Sequence, residues 1–255
     1  MNCFLLPCDK RIYFASDLHL TAWSDELSRR REQDFVQWLD TIKSDAAAVF
    51  LLGDIFDFWF EYKQTVPRGF VRLLGKLAEL TDSGISVIFF TGNHDQWLRN
   101  YLTEELNISI YRKPAEFEIN EKRFLIGHGH DVSFSQEGLY IRARHWIFEN
   151  KILRALFASL NPRWGLAFGK NWSISHRKRR GISKPFEGLE KELIYRYVQK
   201  VLVEKHYDFF VFGHRHLAMD VSLNENSRYI NTGEWLKTKS YAVFDGKDMQ
   251  LINEL

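Results

Sequence analysis

Residues 46–59, AAAVFLLGDIFDFW, join a buried strand to a pair of acidic side chains. The first seven residues form a continuous apolar run, which is typical of a strand buried on both faces of a sheet. Asp54 and Asp57 follow directly, in the motif GDxxD. In open α/β sheets, ligands bind beyond the carboxyl ends of the strands. The stretch therefore predicts a central strand with a functional loop at its end.

Strand and helix patterns alternate on both sides of this stretch. RIYFAS (11–16) and ISVIFFT (85–91) have the composition of strands, whereas residues 27–43 and 69–82 carry apolar side chains at helical spacing. Strand–helix–strand units with short loops predict a mostly parallel central sheet. Closely spaced strand-like runs after residue 107 predict hairpins and sheet edges.

Residues 136–186 interrupt this pattern. They contain two helical stretches, at about 137–149 and 151–160, followed by a loop that includes the run RKRR (177–180). We interpret the segment as an insertion at the rim of a single domain that comprises residues 1–255, and not as a domain of its own.

The composition is that of a folded protein. Hydrophobic residues make up 45% and aromatic residues 15%, which excludes a disordered chain. No apolar run is long enough to predict a membrane span, and the first ten residues lack the basic region of a secretory signal. With only Cys3 and Cys8, the chain is expected in a reducing, cytoplasmic compartment.

The chain is nearly neutral overall, with a net charge of +2, but residues 142–184 form a strongly basic segment, the basic block. Between residues 142 and 184 the only acidic residue is Glu149. The basic residues of the block are Arg142, Arg144, Lys151, Arg154, Arg163, Lys170, Arg177, Lys178, Arg179, Arg180 and Lys184. Such a block indicates an anionic partner, which is phosphate, nucleic acid or an acidic membrane surface.

Five short motifs each follow a strand-like run, and together they supply carboxylate, amide and imidazole groups. They are Asp17-Leu18-His19, Gly53-Asp54-Ile55-Phe56-Asp57, Gly92-Asn93-His94-Asp95, Gly127-His128 and Gly213-His214-Arg215-His216. These groups suit divalent ions such as Mn²⁺, Fe²⁺ or Zn²⁺. Seven ligands are too many for one ordinary site, but one bridging carboxylate would divide them into two sets of four. Paired ions of this kind clamp both oxygens of an in-line displacement at phosphorus.

The five motifs, in this order, resemble the signature of the calcineurin-like metallophosphoesterases: DxH, GDxxD, GNH[DE], a His after Gly, and GHxH. The resemblance implies an α/β sandwich of two mixed β-sheets flanked by helices, with the helical insertion as a cap over the active site. It implies two divalent metal ions that share Asp54 as a bridge. The first would be held by Asp17, His19, Asp54 and His216, and the second by Asp54, Asn93, His128 and His214.

The resemblance also implies roles for neighbouring side chains. His94 would lie beside the substrate phosphate, as an acid for the leaving oxygen or as a charge stabiliser. Asp95 would orient His94, and Asp57 would support a ligand from behind. Asn231, at the end of SRYI, resembles an Asn that follows GHxH in many members and would buttress the site.

A narrower similarity links the chain to the UDP-2,3-diacylglucosamine hydrolases of lipid A biosynthesis, especially their Bacteroidetes-type branch. It rests on FASDLHL, GDIFDFW, the Tyr/Arg-rich insertion and GHRH…NTGEW. It implies Mn²⁺-dependent cleavage of a pyrophosphate by a metal-bridging hydroxide, which gives UMP and 2,3-diacylglucosamine 1-phosphate. It also implies a peripheral enzyme on the cytoplasmic face of the inner membrane, without an obligate protein partner. The proteobacterial branch has Arg in place of His94 and Asp in place of His130.

The insertion supports a lipid substrate. Residues 139–160 interleave aliphatic and aromatic side chains with basic ones, so a pair of helices there would cover acyl chains and meet anionic head groups. The expected substrate contacts are Tyr140, Arg144, Lys170 and Ser173. The alternative is that these aromatic residues simply pack the insertion onto the core.

Three other functions compete with this interpretation. A metal-dependent nuclease or nucleotide phosphodiesterase would use the basic block to follow a nucleic-acid backbone, but the block is rich in apolar side chains at helical spacing, so no nucleic-acid partner is expected. A metal-free protein-binding scaffold would normally have lost some of the metal ligands, whereas all seven are present in this sequence. A protein phosphatase gains no support from the hydrophobic insertion.

Overall fold

The computed structural model describes residues 2–22, 25–132, 150–165, 167–169, 171 and 185–253, which fold into two β-sheets flanked by helices. The strands are β1 Asn2–Phe4, β2 Arg11–Ala15, β3 Ala46–Leu51, β4 Ser86–Phe90, β5 Ser109–Tyr111, β6 Ala115–Ile119, β7 Lys122–Ile126, β8 Phe209–Phe212, β9 Ala218–Asn224, β10 Ser227–Thr232, β11 Ser240–Phe244 and β12 Met249–Asn253. The helices are α1 Glu26–Ile42, α2 Val71–Asp82, α3 Tyr101–Leu106, α4 Lys151–Ser159 and α5 Leu193–Glu204.

Both sheets have six strands and both are mixed. The first has the order β12-β11-β2-β3-β4-β5, in which β2 to β5 are parallel and β11 and β12 are antiparallel. The second has the order β1-β6-β7-β8-β10-β9, with β7, β8 and β10 parallel and antiparallel pairs at β6–β7 and β9–β10. The two mixed sheets flanked by helices are thus confirmed. The mostly parallel sheet predicted from the first part of the chain corresponds to the first sheet, in which β2 to β5 are parallel and antiparallel strands are added only at one edge.

Aromatic side chains fill the space between the sheets. Phe14 and Phe50 stack at a centroid distance of 5.0 Å, and Phe124 packs edge-on against Phe244 at the same distance. Burying large aromatic rings removes much apolar surface per residue, so this layer contributes substantially to holding the two sheets together.

Helices cover the outer faces of both sheets. Helix α1 begins after Asp25, whose side chain accepts hydrogen bonds from the backbone N–H groups of Leu27 and Ser28, as an N-cap should. Its apolar face, with Phe35 and Trp38, is buried on the first sheet together with α2. Helix α5 covers the second sheet.

This arrangement brings the five predicted motifs together. The motifs follow β2, β3 and β4 in one sheet and β7 and β8 in the other. The backbone N–H of His214 donates to Asp17 Oδ2 at 2.8 Å, which joins the loops of the two sheets. The motifs therefore meet at one end of the sandwich.

Only part of the predicted insertion belongs to the described residues. Its second helix is present as α4, whereas the first, at 137–149, and the RKRR run lie outside them. Within the part of the chain that the structure describes, no helix is long and apolar enough to cross a membrane.

Candidate metal centre

Two clusters of ligand-type side chains lie at the end of the sandwich where the motifs meet. In the first, His19 Nε2 lies 3.1 Å from His216 Nε2, and in the second, His128 Nε2 lies 3.2 Å from His214 Nδ1. Two imidazole nitrogens at such a distance share at most one proton, whereas a cation would accept both lone pairs. Each cluster also contains one carboxylate, and its ligand atoms lie within 4.8 Å of one another.

Asp54, the carboxylate of the second cluster, also faces the first. Its Oδ2 is 3.8 Å from His19 Nε2 and 3.6 Å from His128 Nε2. Its Oδ1 is fixed by the backbone N–H of His94, which donates at 2.8 Å. A carboxylate oxygen that faces both clusters is suited to serve as a bridge.

Two of the predicted ligands have a buried oxygen that accepts no hydrogen bond. Asp17 Oδ2 accepts from Ser16 Oγ at 2.5 Å, but Oδ1 has no hydrogen bond of normal geometry, although His216 Nε2 is only 3.1 Å away. Asn93 Oδ1 is buried without a hydrogen-bond partner as well. Leaving a buried acceptor unsatisfied costs free energy, and a cation would compensate for that cost. The residues present therefore fit divalent metal ions.

Hydrogen bonds behind the imidazoles fix their orientation. Asp57 Oδ1 lies 3.1 Å from His19 Nδ1, and the carbonyl oxygen of Leu52 lies 2.6 Å from His128 Nδ1. When the Nδ1 of an imidazole donates to such an acceptor, the Nε2 lone pair is free to bind metal. Asp57 thus lies where the sequence analysis expected it, behind a ligand.

The predicted role of Asp95 requires a correction. Its carboxylate accepts hydrogen bonds from the backbone N–H groups of Gly92 at 2.7 Å, Ile55 at 2.9 Å and Phe56 at 3.3 Å. His94 Nδ1 instead lies 2.9 Å from a backbone carbonyl, that of Asp57. Asp95 therefore joins the loops after β3 and β4, and the orientation of His94 comes from the neighbouring loop.

Burial and mutual charge shift the carboxyl pKa values in opposite directions. Burial raises the pKa of Asp54, but the charges of His94, His128 and His19 outweigh it and bring the pKa to about 2. Burial, together with the negative charge of Asp54, raises the pKa of Asp95 to about 7. Asp54 is thus held in the ionised form that a metal ligand needs.

The pKa values of the two imidazoles in the second cluster are also shifted in opposite directions. Burial opposes the charged form of His128, but Asp54 and Asp17 outweigh it and raise its pKa. Burial and the charge of His128 lower the pKa of His214 to about 3. The opposite shifts disfavour a state in which both rings are charged, in agreement with the short distance between them.

The backbone at the candidate ligands adopts the left-handed conformation that residues other than Gly usually avoid. The φ angles are 56° at Asp17, 48° at His19, 52° at Asp54, 68° at His214 and 55° at His216. Each such conformation costs about 1–3 kcal/mol and persists where the surroundings enforce it, commonly at functional sites. The glycine before Asp54 is required by packing, because a β-carbon on Gly53 would lie 2.6 Å from His128 Nδ1.

Two supporting residues had no signal in the sequence. Arg31, on α1, donates from Nη1 to the carbonyl oxygens of Leu18 at 2.8 Å and His19 at 3.1 Å. Ser16 contacts Thr232 Oγ1 at 2.8 Å in addition to Asp17. Asn231 donates to the Gly213 carbonyl at 2.6 Å, which agrees with the buttressing role expected for it.

The described part of the insertion packs beside the centre. Phe157, on α4, contacts Phe60 at a centroid distance of 4.6 Å and Trp97 at 5.1 Å, on the chain segments that follow β3 and β4. A β-carbon on Gly165 would overlap the hydroxyl of Tyr62. The four predicted substrate contacts, Tyr140, Arg144, Lys170 and Ser173, lie outside the described residues.

A family model described as calcineurin-like phosphoesterase matches residues 10–218, and the chain belongs to this family, as the motifs predicted. It is 37% identical over 253 residues to a protein of Porphyromonas gingivalis named UDP-2,3-diacylglucosamine hydrolase, with 94% of this chain and 96% of the relative covered. A relative of the same name from Ectopseudomonas mendocina is 26% identical and covers 88% of this chain and 90% of its own. Solved structures that resemble the chain include Vps29 from Entamoeba histolytica, with a TM-score of 0.45, 11% identity and coverage of 96% and 97%.

Proposed function

We propose that this chain is a divalent-metal-dependent hydrolase that cleaves the pyrophosphate of UDP-2,3-diacylglucosamine to UMP and 2,3-diacylglucosamine 1-phosphate. One observation carries the chemistry: Asp54 Oδ2 faces His19 of one cluster and His128 of the other, at 3.8 and 3.6 Å. The substrate follows from the relatives that bear this name and match nearly the whole chain.

The proposal divides the ligands into two sets that share Asp54, one for each ion. The first set is Asp17, His19, Asp54 and His216, and the second is Asp54, Asn93, His128 and His214. Mn²⁺ is the metal that we favour, because the resemblance to the UDP-2,3-diacylglucosamine hydrolases implies it; the oxygen and imidazole ligands would also accept Fe²⁺, Zn²⁺ or Co²⁺. When bound, the two ions would supply an activated water and polarise a phosphoryl oxygen.

His94 is the proposed acid for the leaving phosphate oxygen. A ring nitrogen of His94 lies within 4.8 Å of the ligand atoms of His19 and Asp54, so the ring borders the centre without being needed in either set. The protonated ring would donate from Nδ1 to the Asp57 carbonyl, 2.9 Å away, and from Nε2 to substrate. His94 would then transfer its Nε2 proton to the leaving oxygen and become neutral.

The insertion would bring the enzyme to its lipid substrate. Leu156 is 59% exposed, Trp164 72% and Phe168 49%, on a segment whose sequence carries the basic block. An apolar surface beside basic residues suits an anionic leaflet, which here would be the cytoplasmic face of the inner membrane, with the acyl chains of the substrate nearby.

A product assay tests the reaction. The protein is stripped of metal with a chelator, Mn²⁺ is restored, and UDP-2,3-diacylglucosamine is offered in mixed micelles beside a small generic phosphodiester. Rapid release of UMP, with the generic ester slow, is expected. Asp54→Asn should be inactive, whereas Asp248→Asn, at a remote and exposed carboxylate, should match the wild type. Release of UDP in place of UMP, or rapid cleavage of the generic ester alone, would contradict the proposed substrate.

Vesicle sedimentation tests the membrane surface separately. Binding to vesicles that contain phosphatidylglycerol should weaken at high salt and in Trp164→Glu. Val203→Glu is the matched control, because Val203 is 88% exposed but lies on α5. Equal loss of binding in both variants, or none in either, would contradict a membrane role for this surface.

A further inference from the structure

An ion pair joins the loop of the last two candidate ligands to the start of helix α5. Arg215, which stands between His214 and His216, donates from Nε to Glu192 Oε2 at 2.6 Å. The side chains are 19% and 9% exposed, so the pair is largely shielded from water. Glu192 immediately precedes α5, at the point where the chain returns from the insertion.

Further contacts beside this ion pair also connect it to the loops that carry the candidate ligands. A second nitrogen of Arg215, Nη2, donates to the carbonyl oxygen of Pro185 at 3.3 Å, close to the end of the insertion. Two residues beyond Glu192, Ile194 packs so closely on Gly129 that a β-carbon there would lie 2.6 Å from it. The start of α5 therefore contacts the loop that follows His128 as well as the loop that contains Arg215.

The ligand loop needs such a restraint. His214 and His216 both have left-handed backbones, with φ angles of 68° and 55°, and neither has the conformational freedom of Gly. Between them, the backbone N–H of Arg215 donates to the Gly213 carbonyl at 2.8 Å, which closes a tight turn. Arg215 is the last residue of this turn and lies between the two candidate ligands, so an anchored Arg215 side chain would restrain the backbone on both sides of it.

We infer that Glu192 is a positioning residue for the metal centre, which acts through Arg215 to hold His214 and His216 in their ligating orientation. The ion pair then couples the stem of the insertion to both ligand sets, because each set takes one of these two imidazoles. This inference rests on the metal sites of the proposed function. It adds a residue that lies 21 positions before the GHRH motif and whose side chain pairs with Arg215, between the two ligands, and not with a candidate ligand.

Metal titration of the apo-protein tests the inference. Calorimetry with Mn²⁺, without substrate, should show weaker binding by about tenfold in Glu192→Gln, which is the size of effect that residues behind metal ligands usually have. Glu116→Gln is the matched control, since Glu116 accepts from Lys205 Nζ at 2.6 Å, beyond the other end of α5. With Co²⁺, the visible spectrum should change in Glu192→Gln and not in the control.

The variants separate positioning from mere stability. Arg215→Gln should weaken Mn²⁺ binding as much as Glu192→Gln, and the double variant should be no worse than either. Glu192→Asp keeps the charge and should retain a good part of the affinity, and it replaces Glu192→Gln if that variant does not fold. A lower melting temperature with unchanged Mn²⁺ affinity would overturn the inference. Failure of the wild type to bind Mn²⁺ would instead overturn the proposed metal sites.

Discussion

Gly92 lies against Asp54 so closely that a β-carbon at position 92 would overlap the Asp54 carboxylate and lie 2.5 Å from its backbone nitrogen. The turn after β4 therefore fixes the side chain that faces both clusters. This contact links the GNHD motif to the GDxxD motif by packing, in addition to the hydrogen bond from the His94 N–H to Asp54.

Gly92→Ala should therefore displace the Asp54 carboxylate and weaken Mn²⁺ binding and kcat/KM by about 10–100-fold. The matched control is Gly75→Ala, in α2, where a β-carbon would meet nothing within 4 Å. That control should raise stability by about 0.5–1 kcal/mol, because Ala is the better helix former. Full metal content and activity in Gly92→Ala would show that Asp54 is not fixed by this contact.

His94→Ala should lower kcat by about 10²–10⁴-fold, the usual contribution of general acid–base catalysis, while both metal ions remain bound. Metal content by mass spectrometry and turnover are measured on the same preparation. Loss of metal together with activity would instead make His94 a ligand, and the proposed division of roles would be wrong.

Asp95→Asn should destabilise the fold by about 1–3 kcal/mol, because an amide cannot accept all three backbone hydrogen bonds that the buried carboxylate receives. Urea unfolding of the apo-protein measures the change. Asp245→Asn is the control, since Asp245 accepts backbone N–H bonds from Lys247 and Asp248 at an exposed turn. Equal effects at both positions would contradict the structural role given to Asp95.

Metal affinity should rise with pH across the neutral range. Burial opposes the charged form of His128, but Asp54 and Asp17 outweigh it and raise its pKa above 6.5 in the absence of metal, so at pH 6.5 this imidazole is mostly protonated, whereas only the neutral ring binds metal. Mn²⁺ binding should therefore release protons at pH 6.5 and fewer at pH 8. Calorimetry in buffers of different ionisation enthalpy counts them. His206→Asn, at an imidazole outside the centre, should give the same counts, and a pH-independent affinity would exclude His128 as a ligand.

The strands that deliver the motifs were predictable because their apolar runs are long and end at polar residues. The run at 46–52 appears as β3, Ala46–Leu51, and the run at 85–91 as β4, Ser86–Phe90. Which motif strands lie in which sheet was not predictable, since pairing partners are remote in the sequence: β7 pairs with β8 in the second sheet, with Phe124 opposite Phe209.

The chemical types of the site were predictable from motifs, but its local geometry was not. Only a few per cent of residues other than Gly adopt the left-handed conformation, so the sequence alone does not predict the positive φ at Asp17 or His216. Likewise, Asp95 follows His94 directly, which suggests that it orients that ring, yet its carboxylate faces the backbone of Ile55. Glu192 follows no periodic pattern that would have linked it to Arg215.

The division of the ligands between two sheets sets an order of assembly. One cluster needs Asp17 together with His216, and the other needs Asp54 together with His214, so neither exists in any fragment that ends before the GHRH loop. During synthesis, the amino-terminal ligands must wait for most of the chain to emerge and for the second sheet to dock on the first. Metal binding is therefore expected late in folding, because both clusters form only after the two halves of the sandwich have packed together in the native arrangement.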